Sequence, residues 1–160
     1  MRIISGLYKN RRINFNTLKI RPTTDFAKES LFNVLGNYYD LNKISVLDLF
    51  AGSGNISYEF ISRGATQTTA VDSNLKCIKF MKTIKSRLSI ENFNIQHTNS
   101  IYYLKKTQHK YDLIFADPPY DYGQENYHKI ANIIFEKNIL NTHGTLIIEH
   151  SKLINFEKYK

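Results

Sequence analysis

From Ile44 onward the chain alternates between two apolar patterns, and this alternation constrains its fold more than any other feature. Short runs rich in apolar and β-branched residues, "ISVLDLF", "TQTTAVD", "FNIQHT", "YDLIFAD" and "GTLIIEH", predict strands. Between them, "NISYEFISRG", "NLKCIKFMKTIKSRL", "IYYLKK" and "NYHKIANIIFEK" predict helices, with apolar residues returning every three or four positions. Strands that are apolar on both faces belong to a parallel sheet, because each crossover lays a helix over one face or the other. The expectation is an α/β fold, a mostly parallel sheet with helices on both faces.

The residues before Ile44 break this rhythm. "RIISGLYKNRRINF" places alternating apolar positions on either side of "KNRR", the pattern of a β-hairpin with a basic tip. "RPTTDFAKESLFNVLGNYY" then predicts a helix capped by Thr24 or Asp25, with Phe26, Leu31, Phe32 and Leu35 as its apolar positions and Gly36 as its stop. A chain of 160 residues is read as one domain, 1–160. Residues 1–40 form a basic extension of hairpin plus helix, and residues 41–160 form the core.

Charge narrows the class of partner. Lys and Arg total 22 against 14 Asp and Glu, a formal net charge of +8, and the excess is uneven. Residues 1–24 carry six basic side chains (Arg2, Lys9, Arg11, Arg12, Lys19, Arg21) and no acid. Residues 73–90 are likewise acid-free, with Lys76, Lys79, Lys82, Lys85 and Arg87. Either run alone would be read as solubility; together they point to a polyanion, nucleic acid first. On the helix from 75 to 88, Leu75, Ile78, Met81, Ile84 and Leu88 form the core stripe. The lysines fall off it as a solvated face or an RNA-contacting one. Cys77, the single cysteine, is read as a packing residue and fits a reducing, cytoplasmic setting. No apolar run has the length of a membrane span, "MRIISGLYKN" lacks the apolar centre of a signal peptide, and the five histidines are too scattered to expect a metal.

Two stretches carry chemistry. The first strand ends in "DLFAGSGN", whose Gly52 and Gly54 allow a tight turn and close backbone approach to a ligand. Asp72 ends the next strand about twenty residues on, where a carboxylate can accept from both ribose hydroxyls of a nucleoside. The third glycine of the dinucleotide fingerprint is missing, since Ser57 stands at that offset, so a nucleoside without phosphates fits better. The second stretch is "DPPY", Asp117 to Tyr120, closing the fourth strand. If that strand neighbours the first at the switch point, Asp117 and Tyr120 stand beside the cofactor. The Asp117 carboxylate and the Pro118 carbonyl can then accept both hydrogens of an exocyclic amino group. Pro118 and Pro119 stiffen the turn, and Tyr120 offers a face on which a base can stack.

"DLFAGSG", the acid closing the second strand and "DPPY" resemble the S-adenosylmethionine-dependent amino-methyltransferases of the Rossmann-like class. "RIISGLYKNRRI", "RPTTDFAKESLFNVL" and "SRGA" resemble the signature of the RsmD family, which methylates N2 of a guanine in 16S ribosomal RNA. The resemblance spans residues 1–150. It implies a Rossmann-like methyltransferase fold that uses S-adenosyl-L-methionine. Asp48, Phe50, Gly52 and Gly54 would form the methionine-side loop, Asp72 would hold the ribose and Asn99 would face the adenine. Asp117, Pro118, Pro119 and Tyr120 would be catalytic. Lys9, Arg11, Arg12, Arg21, Thr23, Thr24 and Tyr120 would meet the substrate, 16S rRNA, naked or in a small-subunit assembly particle. A cytoplasmic monomer without a membrane partner is expected. The family continues past the strand matching "GTLIIEH" into a closing antiparallel pair. Here "SKLINFEKYK" follows, which implies incomplete C-terminal antiparallel strands, in a shortened sheet or a truncated chain. A DNA adenine-N6 methyltransferase is the alternative within enzymes, and a non-catalytic RNA-binding ribosome-assembly module is the alternative outside them.

Overall fold

A computed structural model describes residues 1–15, 18, 23–119 and 121–156. Five strands form one sheet: β1 (Ser45–Leu49), β2 (Gln67–Asp72), β3 (Phe93–His97), β4 (Tyr111–Ala116) and β5 (Leu140–Ile148). Their order is β3-β2-β1-β4-β5, and all four pairings are parallel. Five α-helices connect or flank them: α1 (Asp25–Tyr38), α2 (Asn55–Ser62), α3 (Leu75–Arg87), α4 (Ser100–Lys106) and α5 (Gln124–Glu136). The chain reverses direction across the sheet between β1 and β4, so the gap above their carboxyl ends is the switch point.

The apolar strands are apolar because both faces are covered. Val46, Ala70, Leu113 and Phe115 face one side, packed with residues of α1, α2 and α3 such as Phe32, Phe60 and Met81. Leu47, Leu49, Val71, Ile114 and Ala116 face the other, against Leu104 of α4 and Ile130 and Ile134 of α5. Each fully buried aliphatic side chain of this kind contributes about 1.5–3 kcal/mol relative to exposure. β5 is an edge strand of the sheet, and Leu146, Ile147 and Ile148 stay half-buried there. Among the described residues no antiparallel strand joins the sheet, so the closing pair of the resemblance has no counterpart in it.

The basic extension departs from its sequence pattern in detail. The expected hairpin is a single antiparallel bridge between Arg2 and Arg12, framed by backbone hydrogen bonds from Ile3 to Arg11 and from Ile13 to Met1, rather than a ladder of strands. Ile3 and Ile13 anchor it in the core beside Tyr58 and Phe93. Helix α1 begins where expected, the Thr24 hydroxyl oxygen accepting from the Ala27 amide at 3.1 Å. It runs through Gly36 to Tyr38, because nothing near Gly36 interrupts it and the Tyr39 amide still reaches the Leu35 carbonyl. Its inward face is also shifted. Phe26 is 81% exposed and Lys28 is fully buried.

Lys28 is buried because it is the centre of an ion network. Its Nζ lies 3.2 Å from Glu59 Oε2 on α2, 3.0 Å from Asn55 Oδ1 and 2.5 Å from the Arg2 carbonyl. Glu59 in turn accepts from the amides of Ile4 and Ser5 at 2.9 and 3.1 Å and from Arg63 Nε at 3.0 Å. Burial pulls the Lys28 ammonium below the usual lysine range, and the Glu59 charge opposes that pull. The network bolts the N-terminal extension and α1 to α2, the helix that opens directly from the glycine loop.

Candidate active site at the carboxyl rim of the sheet

The glycine loop and the end of β2 are joined by a hydrogen bond. The Gly52 amide donates to Asp72 Oδ2 at 2.7 Å, and the Asn74 amide donates to Asp72 Oδ1 at 2.7 Å. Both oxygens keep lone pairs free, so Asp72 is an oriented, half-buried acceptor at the rim. Gly54 adopts φ +80°, and a Cβ there would meet the Tyr58 ring at 2.9 Å; the loop therefore needs glycine on two counts. Phe50 takes φ 65°, costly for an aromatic residue, and sets its ring 5.0 Å from that of Tyr122. Asp48, near the end of β1, accepts from the Ser57 amide at 3.1 Å and the Ser57 hydroxyl at 2.5 Å. Ser57, at the offset where a dinucleotide site has glycine, is thus the residue that locks the first turn of α2 onto β1.

Acidic groups gather here. Burial pushes the Asp48 carboxyl up to about 7, opposed by the Ser57 donors and reinforced by the Asp117 and Asp72 charges. Asp117 follows β4, its amide 3.5 Å from the Leu49 carbonyl of β1. Partial burial raises its carboxyl to about 6, and the neighbouring Glu149 charge adds to that. Asp48 and Asp72 each have donors. Among the described residues none reaches the Asp117 carboxylate, and none reaches the Pro118 carbonyl, whereas the Pro119 carbonyl accepts from the Tyr122 amide at 3.0 Å. Among the described residues, Asp117 and the Pro118 carbonyl are two acceptors without donors, beside the switch point.

The profile of the family described as "Conserved hypothetical protein 95" matches residues 1–159. The chain belongs to this family. Within it, the protein named Ribosomal RNA small subunit methyltransferase D of Buchnera aphidicola subsp. Baizongia pistaciae is 37% identical over 156 residues, covering 97% of this chain and 78% of the relative. The structure of the yhhF protein of Escherichia coli, described as a methyltransferase, superimposes with a TM-score of 0.84 at 26% identity, over 94% of this chain and 80% of that one. PKMT2 from Rickettsia typhi, solved in complex with AdoHcy, matches 66% of this chain and 20% of that one, with a TM-score of 0.56 and 27% identity. The RsmD resemblance and the Rossmann-like methyltransferase fold read from the sequence are both borne out.

Against that family frame the expected site residues separate into groups. Asp48, Phe50, Gly52, Gly54, Asp72 and Asp117 converge on one rim. Asn99 caps α4, its Oδ1 accepting from the Tyr102 amide at 3.2 Å, and stands beside Asp72, whose carbonyl accepts from the Thr98 amide. Its side chain is exposed. Lys9 and Arg11 are exposed at the bridge turn. Arg12, Thr23 and Thr24 line a cavity of about 490 Å³ together with Met1, Arg2 and Asp25. Tyr120 and Arg21 lie outside the described residues. On α3, Lys76, Lys79 and Lys82 are solvated, whereas Lys85 donates to the Phe93 carbonyl at 2.6 Å. Leu75 is exposed there, and Cys77 is buried in its place.

Sequence reading missed Glu149, Tyr122 and Asn55. Glu149 carried the signal that found Asp72 and Asp117, an acid closing an apolar strand. Tyr122 had none beyond its distance from "DPPY". Asn55 had none at all: its Nδ2 donates to the Thr23 carbonyl at 3.2 Å, a contact between segments far apart in sequence.

Proposed function

We propose that this chain transfers a methyl group from S-adenosylmethionine to the exocyclic N2 amino group of a guanine in 16S ribosomal RNA. The observation that carries the reading is the pair of donorless acceptors, Asp117 and the Pro118 carbonyl, at the switch point. An amino group with two hydrogens complements that pair, and it would give the half-buried Asp117 carboxylate a donor that no described residue supplies. The pair suits the amino groups of adenine and cytosine equally. The choice of a guanine in small-subunit rRNA rests on the family and on the name its relatives carry.

The rim fits the cofactor. Asp72, held by two backbone amides, can accept from both hydroxyls of a ribose, and Asn99 Nδ2 can reach a base. Asp72 and Asp117 give the gap a negative potential suited to a sulfonium cation, to which the buried Asp48 adds only once it ionises, near 7. When bound, S-adenosylmethionine supplies an electrophilic methyl group. The protein's own contribution is alignment. Hydrogen bonds to Asp117 and the Pro118 carbonyl pull the amino nitrogen from planarity and aim its lone pair, which is otherwise delocalised into the ring. An Asp117 carboxyl near 6 takes the departing proton and releases it to solvent near neutrality. The target base leaves its stack to reach the rim, which costs a few kcal/mol in a duplex and less in a loop.

The test is methylation of small-subunit particles and of naked 16S rRNA with labelled S-adenosylmethionine, followed by nuclease digestion and nucleoside mass spectrometry. N2-methylguanosine is expected from the unmodified chain, and Asp117→Ala should lower turnover by at least about a hundredfold. Label on an adenine, or turnover undiminished in Asp117→Ala, would refute the reading.

A further inference from the structure

The cavity lined by Met1, Arg2, Arg12, Thr23, Thr24 and Asp25 is separate from the carboxyl rim but shares a wall with its loop. Ser53 Oγ donates to Met1 Sδ at 3.6 Å, and Asn55 Nδ2 donates to the Thr23 carbonyl at 3.2 Å. Ser53 and Asn55 flank Gly54, so whatever fills the cavity lies next to the cofactor loop.

Its charges are arranged unusually. Arg2 and Arg12 face each other across the antiparallel bridge, the position at which side chains are closest and like charges repel. Arg2 is held 3.5 Å from Asp25, and both side chains are about half exposed, at 48% and 44%. Among the described residues no ion pair reaches Arg12. The Thr24 hydroxyl oxygen accepts from Ala27, which leaves its hydrogen to donate. Two arginines from paired backbone positions line one cavity, and among the described residues one is restrained by a single solvent-screened carboxylate and the other by no carboxylate, which makes an incomplete charge set. An anion between them would complete it. Guanidinium forks match phosphate oxygens in geometry as well as charge.

We propose that this cavity is a phosphodiester subsite for the RNA strand entering the catalytic rim, in which Arg2 and Arg12 grip one backbone phosphate. Asp25 is the internal counter-ion that Arg2 leaves when the phosphate arrives. The inference rests on the reading that the substrate is RNA; it narrows Arg2 from one member of a basic run to a single phosphate contact, and it gives Asp25 a role that the sequence did not suggest. Replacing the Arg2 side chain spares the Lys28 network, because that network uses only the Arg2 carbonyl.

The experiment measures the affinity of a 16S rRNA transcript at several salt concentrations, and of S-adenosylmethionine by calorimetry, for the full chain and for Arg2→Gln, Arg12→Gln and Asp25→Asn. Each arginine variant should weaken RNA binding about tenfold near physiological salt. Each should also flatten the slope of log affinity against log salt by about 0.7–0.9, one phosphate contact. Cofactor affinity should not change. Asp25→Asn should tighten RNA binding several-fold, since Arg2 no longer has to leave a partner. Unchanged RNA affinity and slope in both arginine variants overturns the subsite while leaving RNA as substrate. Weakened cofactor binding with unchanged RNA binding overturns it too, and assigns the arginines to the cofactor carboxylate. If the arginine variants lose both ligands through misfolding, Asp25→Asn decides: RNA affinity no tighter than the parent's overturns the proposal. A parent chain with no affinity for RNA sinks the proposed function and the subsite together.

Discussion

Asp48→Asn should stabilise the cofactor-free protein at alkaline pH, although it removes a carboxylate from the start of the glycine-loop motif. In the folded state Asp48 keeps its proton up to about 7, because burial disfavours the carboxylate, with Asp117 and Asp72 adding to that; in the unfolded chain it releases the proton near 3.8. Between those values only the unfolded state is ionised and stability falls as pH rises, the whole loss being present above the folded value. At about 1.4 kcal/mol per pH unit, the interval corresponds to about 4 kcal/mol. Of this, about 2–3 kcal/mol should appear between pH 5 and pH 8. The amide oxygen of Asn can still accept from Ser57, which preserves the first turn of α2. Urea unfolding of both proteins at a series of pH values gives the difference between their stabilities. It should grow in favour of the variant by that amount from about pH 5 to 8, whatever constant offset the substitution introduces. A difference flat across the range would refute the burial argument. Adding S-adenosylmethionine should narrow the gap, because a cation at the rim favours ionised Asp48; the neutral S-adenosylhomocysteine should narrow it less.

Two further outcomes test other parts of the structure. Asp72→Ala should weaken S-adenosylmethionine binding by about 1.5–3 kcal/mol in calorimetry, as expected when hydroxyl donors lose a charged acceptor. Unchanged affinity in a folded variant would remove Asp72 from the cofactor site. Lys28→Met should lower unfolding free energy by about 1.5–3 kcal/mol, because the fully buried Glu59 loses its Lys28 partner while keeping Arg63 and the Ile4 and Ser5 amides. Lys28→Met with Glu59→Leu should recover part of that loss; a double variant no more stable than the sum of its singles would show that the two charges are not coupled.

The rim was legible in the sequence because its residues sit at fixed places relative to strands. A strand end is marked by the end of an apolar run, and a parallel α/β sheet puts all such ends on one side. Asp48, Gly52, Asp72 and Asp117 could thus be brought together before any geometry was known. Lys28 could not. In "DFAKESLF" it reads as one of several solvent-facing charges, and nothing nearby reveals that its partner Glu59 lies on another helix. The inward face of α1 depends on where α2 sits, so Lys28 is buried and Phe26 is left in water. The hairpin keeps its antiparallel pairing but not its strands, for a related cause. Alternation in "RIISG" and "RRINF" was real, and Ile3 and Ile13 are buried, but core packing and Glu59 anchor the segment with only one bridge between its arms.

That anchoring has a consequence for the chain during its own synthesis. The amides of Ile4 and Ser5 find their partner only in Glu59, more than fifty positions later. At about 5–20 residues per second, the interval between their translation is roughly 3–11 s. Throughout it residues 1–24, with six basic side chains and no acid, lack the Glu59 carboxylate and the α2 packing that later hold them. The arm stays undocked until α2 is made, so translation of α2 is the event that seats it.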